Sequence, residues 1–319
     1  MNMTVLGAGR WGTFIAWYLN KIGNKLILWG REGSKKLEEL QQYRKNKFLE
    51  IPEEIVLTSS LDKAISESEC IVIAIEAQNL ADFMQTMKKY NFENKIIVLC
   101  MKGLEQETGE RLSIVTKRYL GENTKVAIWV GPGHPKEFVM GNPNCMVIDS
   151  ENKEVVELLV KELSSDLIRF YYGNDIIGNE IGAASKNVIG IAAGMLDGLN
   201  LSSLKGALMT RGTKEVSNLI VAMGGKQITA FGLCCLGDYE ATLFSKYSNN
   251  RRFGEAFIKK EEFEEHSAGA HTVKSLMKLS EKYNVKLPIC TAVYNILYNG
   301  SEPEKTLRQL FNRPNVTEF

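Results

Sequence analysis

The sequence predicts an α/β protein of two domains, a doubly wound N-terminal domain (1–178) and an all-helical C-terminal domain (179–319). Three observations carry this. Short apolar runs alternate with amphipathic helical stretches in the first half. From about Asp175 the strand-like runs largely disappear and long helical stretches take over. A G-x-G-x-x-G turn links the first strand to the first helix, the arrangement of a Rossmann-type domain. A length of 319 residues agrees with two domains.

The strands come in order as "MTVLG" (3–7), "KLILW" (25–29), "CIVIAI" (70–75), "KIIVLC" (95–100) and "KVAIWV" (125–130). These are continuous apolar runs, which suit strands of a parallel sheet buried on both faces. Helical patterns over 79–90 and 110–120 lie between them. "CMVID" (145–149) and "IRFYY" (168–172) flank a helix over 153–163 and extend the same sheet. The second half reads as helices over 176–199, 204–223, 228–243, 271–284 and 288–298.

Composition excludes several classes. With 44% hydrophobic and 24% charged residues and a net charge of +1, nothing favours nucleic acid or an anionic membrane as partner. No apolar run approaches the roughly 20 residues of a membrane span, and "MNMTVLGAG" enters a strand with no leader pattern. Six cysteines without C-x-x-C spacing read as reduced thiols of a cytoplasmic protein. The three histidines, His134, His266 and His271, include no pair at ligand spacing, which argues against zinc.

In "VLGAGRWGT", Gly7, Gly9 and Gly12 have separate tasks: a tight turn, close approach of a pyrophosphate, and helix–strand packing. The helix that follows offers the pyrophosphate its free N–H groups. The second strand ends "LILWGREG", with no acid at its end and Arg31 in reach of a ribose 2′-phosphate. That favours NADP(H), while Glu32 keeps NAD(H) open.

The helix "GNEIGAASKNVIGIAAGMLDGL" (178–199) places Lys186 among small residues with no acid one turn away, as if something must fit against it. A desolvated lysine has a lowered pKa and can exchange protons near neutrality, or it can be a lysine snorkelling from a packed helix. Lys102 follows a buried strand, where open α/β sheets bind ligands. Asp238, four residues before Thr242 in an apolar segment, calls for a cationic partner such as one of these lysines. "KYSNNRRFG" (246–254) reads either as an anion grip or as a solvated turn.

Taken in order, "VLGAGRWGT", "LILWGRE", "MKGLEQETG", "GPGHPKEF", "GAASKNVIGIAAGMLDG", "ALMTRGTKEV", "GLCCLGDYEAT", "SNNRRFGEAF" and "VKLPICTAVYNILYNG" resemble the bacterial NAD(P)-dependent glycerol-3-phosphate dehydrogenases from end to end. The resemblance implies reduction of dihydroxyacetone phosphate to sn-glycerol 3-phosphate, a phospholipid precursor, in a cytoplasmic homodimer. It implies Lys186 as general acid or base, with Lys102 and Asp238 completing the catalytic set. Gly131, Gly133, Asn187, Thr242, Ser248, Asn249 and Asn250 match substrate-binding positions alongside Lys102. Gly7, Gly9, Arg10, Trp11, Gly12, Arg31, Lys102, Pro135 and Arg251 match cofactor-binding positions.

Departures accompany the matches. Gly133 stands where the family has Ser or Thr, Met101 where it has Thr, and Ser267-Ala268-Gly269 where it has Val-Glu-Gly. Asn249 replaces the Arg that grips the substrate phosphate in the family, and Arg251 or Arg252 is the nearest substitute charge. Three readings follow: the family reaction with an altered phosphate grip, the same chemistry on another small hydroxy-ketone, or dinucleotide binding without turnover.

Overall fold

The structure, a computed structural model, describes residues 1–312, so residues 313–319 of the expected helical domain lie outside it. One eight-stranded sheet organises the N-terminal part: β1 (Asn2–Leu6), β2 (Lys25–Trp29), β3 (Val56–Thr58), β4 (Cys70–Ile73), β5 (Ile96–Leu99), β6 (Lys125–Val130), β7 (Asn144–Ser150) and β8 (Ile168–Tyr172). The helices among them are α1 (Arg10–Lys21), α2 (Lys35–Tyr43), α3 (Leu61–Ser66), α4 (Leu80–Met87), α5 (Leu112–Leu120), α6 (Pro135–Val139) and α7 (Lys153–Leu163). Strand order is β3-β2-β1-β4-β5-β6-β7-β8. The chain therefore reverses direction of winding between β1 and β4, and a crevice opens beyond their carboxyl ends. Register keeps those ends level, with Leu6 opposite both Trp29 and Ile73, and Ile73 opposite Leu99.

The apolar runs are strands because both sheet faces are covered. One face packs Val5, Leu28, Val72 and Trp129 against Phe14, Tyr18 and Leu159. The other packs Ile71, Ile73, Ile97 and Leu99 against Ile65, Met84 and Val115. β7 and β8 extend the sheet as expected, and β7 joins it antiparallel to β6. The connection through the five-residue α6 turns the chain back instead of crossing over the sheet. Short β3, α2 and α3 were not evident in the sequence, since their polar faces blur the periodicity.

The helical part comprises α8 (Ile176–Gly198), α9 (Lys205–Ala222), α10 (Asn249–Lys259), α11 (Ala268–Lys282), α12 (Pro288–Tyr298) and α13 (Pro303–Phe311). Helix α8 is its axis, buried almost throughout. Asp175 caps it by accepting from the Gly178 N–H at 3.0 Å, and the buried Asp149 accepts from the Asp175 N–H and Asn179 Nδ2, tying α8 to the sheet. The expected helix over 228–243 is corrected to two 3₁₀ turns, Gln227–Phe231 and Leu236–Asp238, followed by a π-helical turn, Glu240–Phe244. Gly232 and Gly237 interrupt it, and the bent segment wraps around α8 where a straight helix would not.

The small residues of α8 have their explanation in this packing. A Cβ on Gly194 would lie 1.8 Å from the Arg251 carbonyl oxygen, and one on Gly254 would lie 2.1 Å from that of Ile191. What fits against α8 is thus α10, backbone to backbone. Because neither helix can yield there, Gly254→Ala is expected to destabilise the protein by about 1–3 kcal/mol, the usual range for overpacking. Chemical denaturation would measure it, and a variant as stable as the parent would contradict this account.

Candidate active site

At the end of β1 the chain turns at Gly7, whose φ of +126° is glycine territory. A Cβ there would meet the Ala74 carbonyl oxygen at 2.4 Å, and one on Gly12 would meet the Gly7 carbonyl oxygen at 1.8 Å. Gly9 differs: a Cβ on it would meet nothing within 4 Å. It is the N-cap of α1, it carries no side-chain cap, and no acid lies in the first turn. Open space before uncapped N–H groups fits the pyrophosphate of a dinucleotide. Gly7 and Gly12 serve packing, and Gly9 leaves the approach clear.

This turn opens into a cleft of about 480 Å³ between the sheet and the helical part. Arg10, Trp11, Ala74, Ile75, Met101, Lys102, Gly133 and Pro135 line one side, and Asn187 and Asn249 the other. Arg31 lies just beyond β2 and is exposed.

Two lysines and one aspartate meet where Lys102 lines the cleft, with Lys186 and Asp238 buried behind it. Lys102, carried past the end of β5, donates to Asp238 Oδ2 at 2.7 Å and to the Gly131 carbonyl at 2.6 Å. Lys186 of α8 reaches the same Oδ2 at 2.9 Å and donates to Thr242 Oγ1 at 2.7 Å. Thr242 in turn donates to the Asp238 carbonyl at 2.7 Å. Asp238 is 1% exposed and Lys186 is 7% exposed, so two cations share one buried anion and the cluster carries an excess positive charge. Burial pushes the Lys186 ammonium down to about 8; Asp238 opposes this and the charge of Lys102 adds to it. The cluster can polarise a carbonyl, steady a developing alkoxide and deliver a proton.

The remaining expected residues divide into two groups. Asn187 donates to the Lys102 carbonyl at 3.1 Å and accepts from Asn250 at 3.0 Å, while Asn250 Oδ1 accepts from Ser267 Oγ and the Gly269 N–H. These amides thus clamp α8, α10 and α11 to the strand end. Asn249, at the start of α10, lines the cleft. Ser248 is spent as the N-cap of α10, accepting from the Arg251 N–H at 3.3 Å. Arg251, expected at the cofactor, is turned to Asp197 at 2.6 Å, Glu255 at 2.9 Å and the Ser245 carbonyl. Arg252 is paired with Glu265 at 2.7 Å. "KYSNNRRFG" is therefore neither a plain turn nor an arginine grip, but the capped start of a helix.

Gly131 and Gly133 have φ of +134° and +145°. A Cβ on Gly133 would lie 2.4 Å from Cε2 of Phe138, whose ring stacks on Phe14 with centroids 5.1 Å apart. The missing hydroxyl thus goes with a glycine-only backbone and an aromatic ring in the space a side chain would need.

Sequence reasoning missed the histidines. His266 and His271 stack with centroids 5.4 Å apart and both line the cleft, with His134 in the opposite wall. Their five-residue separation signals nothing until α11 begins between them. Gln78 was also missed; it bridges the Leu104 carbonyl and the Gln106 N–H at the rim.

Comparison with known proteins finds matches over both parts of the chain. A family model described as NAD-dependent glycerol-3-phosphate dehydrogenase N-terminus matches residues 2–156, and its C-terminus counterpart matches residues 175–308. The chain is 36% identical to a protein of Thermoanaerobacter sp. named glycerol-3-phosphate dehydrogenase [NAD(P)+], over 100% of this chain and 99% of that one. A protein of the same name from Fusobacterium nucleatum is 35% identical, over 100% and 99%. The crystal structure of glycerol-3-phosphate dehydrogenase from Coxiella burnetii superposes with a TM-score of 0.92 at 29% identity, covering 98% of this chain and 99% of that one. With both halves matched in order around one shared cleft, the chain belongs to the NAD-dependent glycerol-3-phosphate dehydrogenase family.

Proposed function

We propose that this protein reduces dihydroxyacetone phosphate to sn-glycerol 3-phosphate, reversibly, with NADP(H) preferred to NAD(H). The observation that carries the reading is the Lys102–Asp238–Lys186 cluster, which meets a dinucleotide cleft at Lys102. The bound dinucleotide supplies the hydride for the ketone carbon. Lys186 gives its proton to the carbonyl oxygen, and Lys102 shares in stabilising the charge as it develops there. Asp238 and Thr242 hold the Lys186 ammonium in place. Arg10, Trp11 and Pro135 support the cofactor, and Asn187 and Asn249 face the substrate.

The division between the cofactor and substrate domains falls at residue 178 in this reading. Exposed Val221, Ile228 and Phe231 on the helical domain support a homodimer formed through it, which light scattering at twice the chain mass would check. The six free cysteines support residence in the reducing cytoplasm. A second reading, the same chemistry on another small hydroxy-ketone, draws on the neutral Asn249 and the missing side chain at Gly133.

Oxidation of NADPH with dihydroxyacetone phosphate and with a panel of other ketones separates the two readings. Turnover only with another ketone selects the second. Reduction needs the protonated lysine, so kcat should be flat below pH 8 and fall as pH rises through about 8. Oxidation needs the neutral amine and should rise through the same interval. Lys186→Ala should lower kcat by roughly 10²–10⁴-fold while cofactor binding stays near parental; an active variant would refute the assignment of the acid.

Cofactor preference rests on Arg31 beyond β2. Removing a charge-assisted bond of about 1.5–3 kcal/mol, Arg31→Ala should raise KM for NADPH by roughly tenfold to 150-fold. KM for NADH should hardly move. Equal effects on both cofactors would assign no 2′-phosphate contact to this side chain.

A further inference from the structure

The cleft wall contributed by the helical domain consists of Asn187, Asn249, His266, Ala268, His271 and Thr272. Among these described residues there is no Lys or Arg. The nearby arginines are committed elsewhere, Arg251 to Asp197 and Glu255, and Arg252 to Glu265. Across the cleft, Lys102 is held by Asp238 and the Gly131 carbonyl, and Arg10 lies at the dinucleotide turn over the Phe48 ring, 5.5 Å from its centroid. A wall that faces phosphorylated ligands thus has no permanent cation of its own. What it has is two imidazoles.

We propose that His266 and His271 together form a phosphate-binding element on the helical wall of the cleft, whose positive charge is supplied by protonation of the imidazoles. The rings stack at 17° with centroids 5.4 Å apart. Asn249 Nδ2 donates to the His266 carbonyl at 3.4 Å, which places a neutral donor beside the pair. His271 Nδ1 lies 3.1 Å from Gln106 Oε1, and Nε2 is the ring nitrogen free of that contact.

The charged surroundings act on His271 from both sides of the cleft. Burial holds His271 below the ordinary histidine range; His266 and Lys274 add to this, and Glu76 across the cleft opposes it. On the side of His266, its neighbour Glu265 is already paired with Arg252. Two imidazolium ions this close repel, so the free protein disfavours the doubly charged pair, and an arriving phosphate reverses that preference. Ligand affinity is then linked to proton uptake, up to about tenfold per pH unit for one proton. Sidedness follows from Asn249 and Asn187 on the same wall, which set the pair toward the substrate's phosphate more than the pyrophosphate at α1. The inference rests on the proposed reading that the substrate is phosphorylated.

Only three histidines are present, so imidazole NMR signals can be assigned by comparing His134→Gln, His266→Gln and His271→Gln. Inorganic phosphate as probe should shift the ring signals of His266 and His271, and ring signals it leaves unmoved would overturn the proposal. In turnover, the KM for dihydroxyacetone phosphate of His271→Gln should lack a roughly fivefold rise between pH 6 and pH 8 that the parent shows. If the NADPH KM loses its pH dependence instead, the phosphate held is the dinucleotide's. Variants with the parent's pH profile for both ligands would also overturn it. A protein inactive on dihydroxyacetone phosphate whose imidazoles still respond to inorganic phosphate would retain this element and lose the substrate reading.

Discussion

One carboxylate oxygen holds the active centre together. Asp238 Oδ2 receives Lys102 from the sheet at 2.7 Å and Lys186 from α8 at 2.9 Å. Removing two ammonium groups from water is expensive, and a single shared anion only partly offsets it. Burial loosens the Lys186 proton, Asp238 opposes this and Lys102 adds to it, while Lys102 itself lines the cleft. A second acid in the cluster would hold Lys186 more tightly protonated and weaken it as a donor.

Holding that arrangement requires the two parts of the chain to be fixed on one another. Asp149 and Asp175 tie the start of α8 to the sheet, and the Asn250–Asn187–Lys102 relay ties its middle to the strand end. Farther out, Glu180 of α8 accepts from Arg111, Ser113 Oγ and the Ser113 N–H at the start of α5. Glycines at the α8–α10 crossing let the backbones approach until the clamp closes. Small residues around Lys186 thus reflect packing needed to bury the lysine, which joins the two readings the sequence left open.

The departures from family pattern also acquire physical content. Gly133 is not simply a side chain removed, because its backbone is left-handed and the Phe138 ring fills the neighbouring volume. Asn249 leaves the helical wall without a fixed charge, and the arginines next to it stabilise α10 and its surroundings through carboxylates. The cleft keeps the Lys102–Asp238–Lys186 cluster, while the described lining residues of its helical wall include no Lys or Arg.

Much of this was determined by sequence alone. Continuous apolar runs mark β2 and β6 to the residue because burial on both faces leaves a local signature, whereas the edge strand β8 alternates buried Ile168 and Phe170 with exposed Arg169 and Tyr171. The glycine turn and the anomalous Lys186 are equally local, readable from neighbours within one helical turn. The bend over 227–244, the antiparallel β7 and the partners of Arg251 depended on contacts with distant segments, so periodicity misread the first and was silent on the others. Lys102 and Asp238 are 136 positions apart, and their pairing could be suspected from chemistry but not seen. His266 and His271 become a pair only because α11 starts between them and turns both rings into the cleft. Electrostatic roles of this kind are set by distance and burial, and only the tertiary structure fixes those.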